Sequence, residues 1–242
     1  MRIHLANYQT RVKLVLSTST LHRWFAPPGL EVMYGGDLDH RDYVTIPGAK
    51  IAQLHDAFVI EYGKEQRGID VVLVAGLNDV ARGYSRDYVM FCIRDLRKAV
   101  SKQAEIYHPQ VKNTFAVATM LYPPQLAWFE DNGPVPYRNY QNNREKIDWI
   151  NEEIMADNRE NGVQFAPKLH TYGVRTDNKQ RRDRYGNVSV KHTKSHRWGE
   201  WRERNPARML HLTNARRVAM GKAINKYFTK CTINESHTGY FL

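Results

Sequence analysis

Residues 71–75 read VVLVA, a short run with no polar residue, and the chain then turns abruptly to Gly76-Leu77-Asn78-Asp79. A strand with one wet face alternates apolar and polar residues. A strand that is apolar throughout needs cover on both faces, as in the middle of a parallel sheet with helices on either side. This run therefore constrains the fold more than any other stretch.

The rest of the chain supplies the cover. Val12–Leu16 (VKLVL), Leu30–Tyr34 (LEVMY) and Thr114–Met120 (TFAVATM) read as further strands, and Val163–Ala166 as a short fifth. Between them lie segments with apolar residues at helical spacing. Ala49–Gly63 carries Ile51, Leu54, Phe58 and Val59; Asp87–Ile106 carries Val89, Met90, Ile93, Leu96 and Val100; Tyr137–Asn158 carries Ile147, Ile150 and Ile154. A last helix is expected over Asn214–Phe228, with Asn214 as its cap and Val218, Ile224 and Phe228 facing the core. Alternating strands and helices predict an α/β fold, three layers deep, with a parallel sheet of about five strands. No repeat or low-complexity tract divides the 242 residues, so a single domain spanning 1–242 is expected.

The apolar runs are too short to cross a bilayer. The N-terminal MRIHLANYQTRVKLVL lacks an apolar core followed by a small-residue cleavage site, so no signal peptide is read there. Cys92 and Cys231 form no Cys-x-x-Cys pattern, which fits a reducing, intracellular compartment, cytoplasmic or nuclear. No metal or organic cofactor is implied. His192 and His196 are four apart in KHTKSH, but a basic loop explains them better than a zinc site.

Charge is the unusual bulk property, at +11 overall. Between Arg175 and Arg208 stand eleven Lys and Arg against four acids. This segment reads as a long loop or insertion over about 175–206. Its cations include Arg181, Arg182, Arg184, Lys191, Lys194 and Arg197, with Trp198 and Trp201 interleaved. Cations neutralise phosphates and tryptophans stack on bases, so nucleic acid or another polyanion is a candidate partner. A solvated loop that keeps the protein soluble is the alternative. Tyr122–Tyr137, rich in proline and glycine, reads as a second long loop.

Sites in open parallel sheets gather at the carboxyl ends of strands. After the first strand come Ser17-Thr18-Ser19-Thr20; before the next helix, Ile46-Pro47-Gly48-Ala49; after the VVLVA strand, Gly76-Leu77-Asn78-Asp79; before the last helix, Arg208-Met209-Leu210-His211-Leu212-Thr213. A hydroxyl, a glycine amide, a carboxamide and an imidazole are the parts for acyl transfer. Each has an ordinary reading too. The hydroxyls can cap a helix, Pro47-Gly48 can be a turn, Asn78-Asp79 an Asx turn, and His211 a core histidine.

The order and spacing of these blocks resemble the SGNH, or GDSL-type, hydrolases. The resemblance implies a flavodoxin-like three-layer fold and a serine esterase acting on a carboxylic ester, such as an acetyl ester. It implies Ser19 as nucleophile, His211 as general base, and Gly48 and Asn78 as oxyanion donors. Two blocks depart from the family pattern. Ser17-Thr18-Ser19 stands for Gly-Asp-Ser, and Arg208 stands where an aspartate precedes the histidine; Glu200 or Glu203 would have to supply that carboxylate. The "VLVAGLNDV" block and the "LHL…RR..MG" ending are also similar to SGNH-like domains of animal retrotransposons. That similarity implies a partner such as a nucleic acid or an element-encoded assembly, and the two departures motivate the alternative of a catalytically decayed fold kept as a nucleic-acid-binding or assembly module of a mobile element.

Overall fold

The computed structural model describes residues 11–18, 41–46, 48–107, 112–122, 129–130, 133–134, 137–182, 188–196 and 214–238. Four parallel strands form the central sheet: β1 (Val12–Ser17), β2 (Arg41–Thr45), β3 (Ile69–Val74) and β4 (Thr114–Val117), in the order β2-β1-β3-β4. Helices α1 (Ile51–Tyr62), α2 (Leu77–Ala81), α3 (Arg86–Tyr107), α4 (Tyr137–Glu160) and α5 (Asn214–Thr238) surround it.

Strand pleating sorts the core into two layers. Leu14, Leu16, Val71, Leu73, Phe115 and Val117 point to one face. There they meet Ile51, Leu54 and Phe58 of α1, the Val89-to-Val100 stripe of α3, and Ile147, Ile150 and Ile154 of α4. Val15, Val72, Val74, Ala116 and Ala118 point to the other face, against Met220, Ile224, Tyr227 and Phe228 of α5. Helices on both sides are what the apolar β3 requires. On α5, Met220 and Tyr227 are fully buried, whereas Val218 is only partly so.

A polar chain fastens the amino end of the sheet. Asp70, 1 % exposed, pairs with Arg11 at 2.7 Å and accepts from the Thr114 hydroxyl at 2.8 Å. Tyr227 of α5 donates to Thr114 at 2.8 Å. The buried carboxylate thus has a charged partner and a hydroxyl donor, as a buried charge requires.

Arg41–Thr45 is a strand of the described sheet that the sequence did not announce, and the strand expected at Leu30–Tyr34 lies outside the described residues. Two expectations are corrected. Val163–Ala166 is not a strand; the described sheet has four strands, compatible with the expected sheet of about five. The outer edge of β4 is already occupied by side chains. The Asn158 carboxamide accepts from Val117 N–H at 3.0 Å and donates to Val117 C=O at 2.8 Å. Asn151 makes the same pair of bonds to Met120, at 2.6 and 3.0 Å. Arg97 donates to Phe115 C=O at 2.8 Å. Phe165, at φ +61°, also breaks any extended path. Pro167 alone rejoins the edge, accepting from Thr119 N–H.

The second correction concerns the basic segment. Its first part is not a loop but an antiparallel hairpin, β7 (Val174–Arg182) with β8 (Val188–His196). A two-residue ladder, β5 (Phe129–Glu130) with β6 (Gly133–Pro134), falls within the segment expected to be a loop. Among the described residues no helix is long and apolar enough to cross a membrane.

Candidate active site

The strand order sets where a site can form. From β1 the chain passes to β2 on one side and then to β3 on the other, so the topological switch point lies between β1 and β3. Ligands in such sheets bind beyond the carboxyl ends at that point. The three strand ends are level: Ser17 is in register with Thr45 and with Val74.

Past β3, Gly76 turns the chain at φ +108° and caps α2. A Cβ there would stand 2.7 Å from Met120 Sδ, so the position needs glycine for both backbone and space. The turn aims the next polar residues across the switch point. Asn78 Nδ2 donates to Ala49 C=O at 2.9 Å, and Asp79 accepts from Ile51 N–H through both oxygens at 3.3 Å. The Gly-Leu-Asn-Asp block is therefore a clamp on the entry to α1, not an Asx turn closing on its own backbone.

Gly48 is the residue before Ala49. Gly48 is exposed, at φ +72°, and its N–H makes no hydrogen bond among the described residues. One Asn78 Nδ2 hydrogen is held by Ala49; the amide carries a second. The bond thus joins Asn78 to the residue that follows Gly48.

Burial raises the Asp79 carboxyl from its usual 3.8 to about 6; the Ile51 N–H and the Lys50 charge oppose that rise. Lys50 escaped notice in the sequence. Its ammonium donates to Tyr84 Oη at 2.7 Å and lies 5.0 Å from that ring's centre. A lysine two residues after the candidate glycine was its only signal.

Ser17 is 0 % exposed, its hydroxyl donating to Thr18 C=O, and Thr18 is also buried. Neither hydroxyl faces solvent. Ser19, His211, Arg208, Glu200 and Glu203 lie outside the described residues, as do Arg184, Arg197, Trp198 and Trp201. Arg181 and Arg182 fall on β7, and Lys191 and Lys194 on β8. No group of three His, Cys, Asp or Glu suited to a metal ion occurs among the described residues. Cys92 is buried, unbridged, and its thiol is pushed up by desolvation.

No family model matches the chain, and no curated protein does. Solved structures do. The chain is similar to a protein assigned to the lipolytic G-D-S-L family from Desulfitobacterium hafniense DCB-2, at 14% identity and a TM-score of 0.51, covering 90% of this chain and 99% of that one. It is similar to TesA at 12% identity and a TM-score of 0.50, covering 89% and 97%. It is also similar to a protein assigned as a lipase from Chitinophaga pinensis DSM 2588, at 10% identity and a TM-score of 0.51, covering 91% and 98%. At these identities the likeness concerns the fold, which is the α/β fold of the GDSL/SGNH hydrolases.

Proposed function

We propose that the chain is a serine esterase hydrolysing a small carboxylic ester, such as an acetyl ester. The reading rests on one observation above others: Asn78 is held against the carbonyl of Ala49, the residue after Gly48, whose N–H makes no hydrogen bond among the described residues, at the switch point of a GDSL/SGNH-type sheet. Two donors at that edge suit the negative oxygen of a tetrahedral intermediate.

In this mechanism Ser19 Oγ attacks the ester carbon while its proton passes to His211. The carbonyl electrons move onto oxygen, facing Gly48 N–H and Asn78 Nδ2. Collapse expels the alcohol, which takes the proton from His211. Water, deprotonated by His211, then releases the acid and frees Ser19. With Arg208 in place of a carboxylate before His211, the imidazolium gains no support from that position, so slow turnover is expected.

The test is hydrolysis of p-nitrophenyl acetate by the full chain and by Ser19→Ala. Activity lost in the variant, with an unchanged thermal melt, supports the reading. Activity that persists removes Ser19 from the role.

The hairpin favours a second reading, a nucleic-acid-binding or assembly module. Lys179 stands directly opposite Lys191 across the ladder. The two strands also carry Arg181, Arg182 and Lys194, and so many cations in one segment suit a polyanion. Binding through this segment, including Arg181, Arg182, Lys191 and Lys194, would weaken steeply with salt. Salt-independent binding would argue against it.

A further inference from the structure

The outer edge of β4 carries a groove that the esterase reading does not use. A cavity of about 780 Å³ opens beside its carboxyl end, and one of about 330 Å³ beside its amino end. Val163 and Phe165 line both, so the two are halves of one groove along the strand. Phe165 is the partition. It is 47 % exposed and sits at φ +61°, a conformation costly for a bulky side chain.

The rims are cationic. Arg159, Lys168 and Lys226 line the larger half, with Glu152 as its acid; Lys112 and Lys230 line the smaller. Among the described residues, Arg159, Lys168, Lys226 and Lys230 form no ion pair. Lys226 and Lys230 lie one helical turn apart on α5, their ammonium groups 5.7 and 6.0 Å from the Phe165 ring centre. An elongated groove, an exposed aromatic ring at its middle and cations spaced along both halves match a flexible polyanion that carries flat rings.

We propose that this groove binds single-stranded nucleic acid, a base stacking on Phe165 and the flanking phosphates meeting Lys226 and Lys230. A sulfated polysaccharide would engage the cations but leave the ring unused. The proposal rests on neither the esterase reading nor the hairpin.

The experiment compares two fluorescein-labelled strands of about fifteen units, an oligothymidylate and an abasic backbone of equal charge, by anisotropy from about 50 to 200 mM NaCl. The full chain is expected to prefer the oligothymidylate. Phe165→Ala should weaken its binding about tenfold and abolish the preference, while Phe165→Trp keeps it. Lys226→Gln/Lys230→Gln should lower the salt slope by about 1.4, two phosphate contacts' worth. Phe165→Gly, which suits the positive φ, serves as a second truncation should the alanine variant misfold. Equal affinity for both strands, or full binding by both Phe165 truncations, overturns the proposal. So does binding lost only in the hairpin variant Lys179→Glu/Lys191→Glu, or no binding up to about 100 µM protein at the lowest salt.

Discussion

The carboxylate of Asp79 rests on the backbone N–H of Ile51, both oxygens at 3.3 Å, and so ties the exit of β3 to the first turn of α1. The two residues are 28 apart in sequence. With the Asn78–Ala49 bond beside it, this contact fixes the loop that carries Gly48. The orphan N–H groups of a helix start favour a negative charge, yet Asp79 is buried enough that burial dominates and its carboxyl rises to about 6.

That rise makes a pH prediction. Folded Asp79 holds its proton more tightly than the unfolded chain does. Its contribution to stability is therefore full below about pH 4 and is lost as pH climbs through about 6. Asp79→Asn keeps an acceptor for Ile51 N–H and does not titrate. Relative to the parent, the variant should gain stability between pH 4 and pH 7, by on the order of 1–2 kcal/mol after allowing for solvent screening. Urea unfolding at several pH values measures the difference. A constant gap across that range would place the charge penalty elsewhere.

Asn78→Ala separates chemistry from architecture. Losing the bond to Ala49 costs about 1 kcal/mol of stability. Losing an oxyanion donor lowers kcat by about 10²–10³-fold. The expected outcome toward p-nitrophenyl acetate is thus a large loss in kcat, little change in KM and a small shift in Tm. A variant that matches the parent in kcat would leave Asn78 a purely structural clamp.

How much of this was legible beforehand depended on where side chains point. β1, β3, α1 and α3 follow from unbroken apolar runs or regular stripes, because their residues pack against the sheet. β2 gives no apolar run because RDYVT lies at an edge of the described sheet and, over Asp42–Thr45, only Val44 is buried. The hairpin was missed because charges fill positions where strands usually show apolar alternation. The false strand at Val163–Ala166 arose because its apolar residues look like any buried run. The occupant of that edge, the Asn151 and Asn158 carboxamides, does leave a trace. They stand seven residues apart within the Ile147–Ile154 face of α4, polar residues on an apolar stripe. For the candidate site, Gly48 and Asn78 were legible only as a pattern of residue types, and the bond from Asn78 to Ala49 C=O was not legible, since no sequence rule pairs a carboxamide with a distant carbonyl.

The edge amides give a third prediction. Asn158→Leu keeps the branching at Cγ but strips both partners from Val117, leaving a buried N–H and C=O unsatisfied. Each such group costs about 1–3 kcal/mol, so a loss of about 2–5 kcal/mol is expected. The bared edge also offers a pairing surface to another copy. Thermal unfolding followed by light scattering should show a lower Tm and earlier aggregation than in the parent. A soluble variant with the parent's Tm would mean that water or a shifted loop satisfies the edge.

The turn at Gly76 gives the last. Alanine there meets two penalties: the positive φ, worth about 1–3 kcal/mol, and the approach of its Cβ to Met120 Sδ. The two can be told apart, because a thioether can swing aside whereas the backbone angle is fixed by the Asn78 and Asp79 contacts that follow it. Gly76→Ala should therefore cost nearly the same in the parent and in a Met120→Ala background. If the cost vanishes without the methionine, steric approach governs the turn. If it persists, as expected, the left-handed angle does, and glycine at this position is what lets β3 end in a clamp rather than run on as strand.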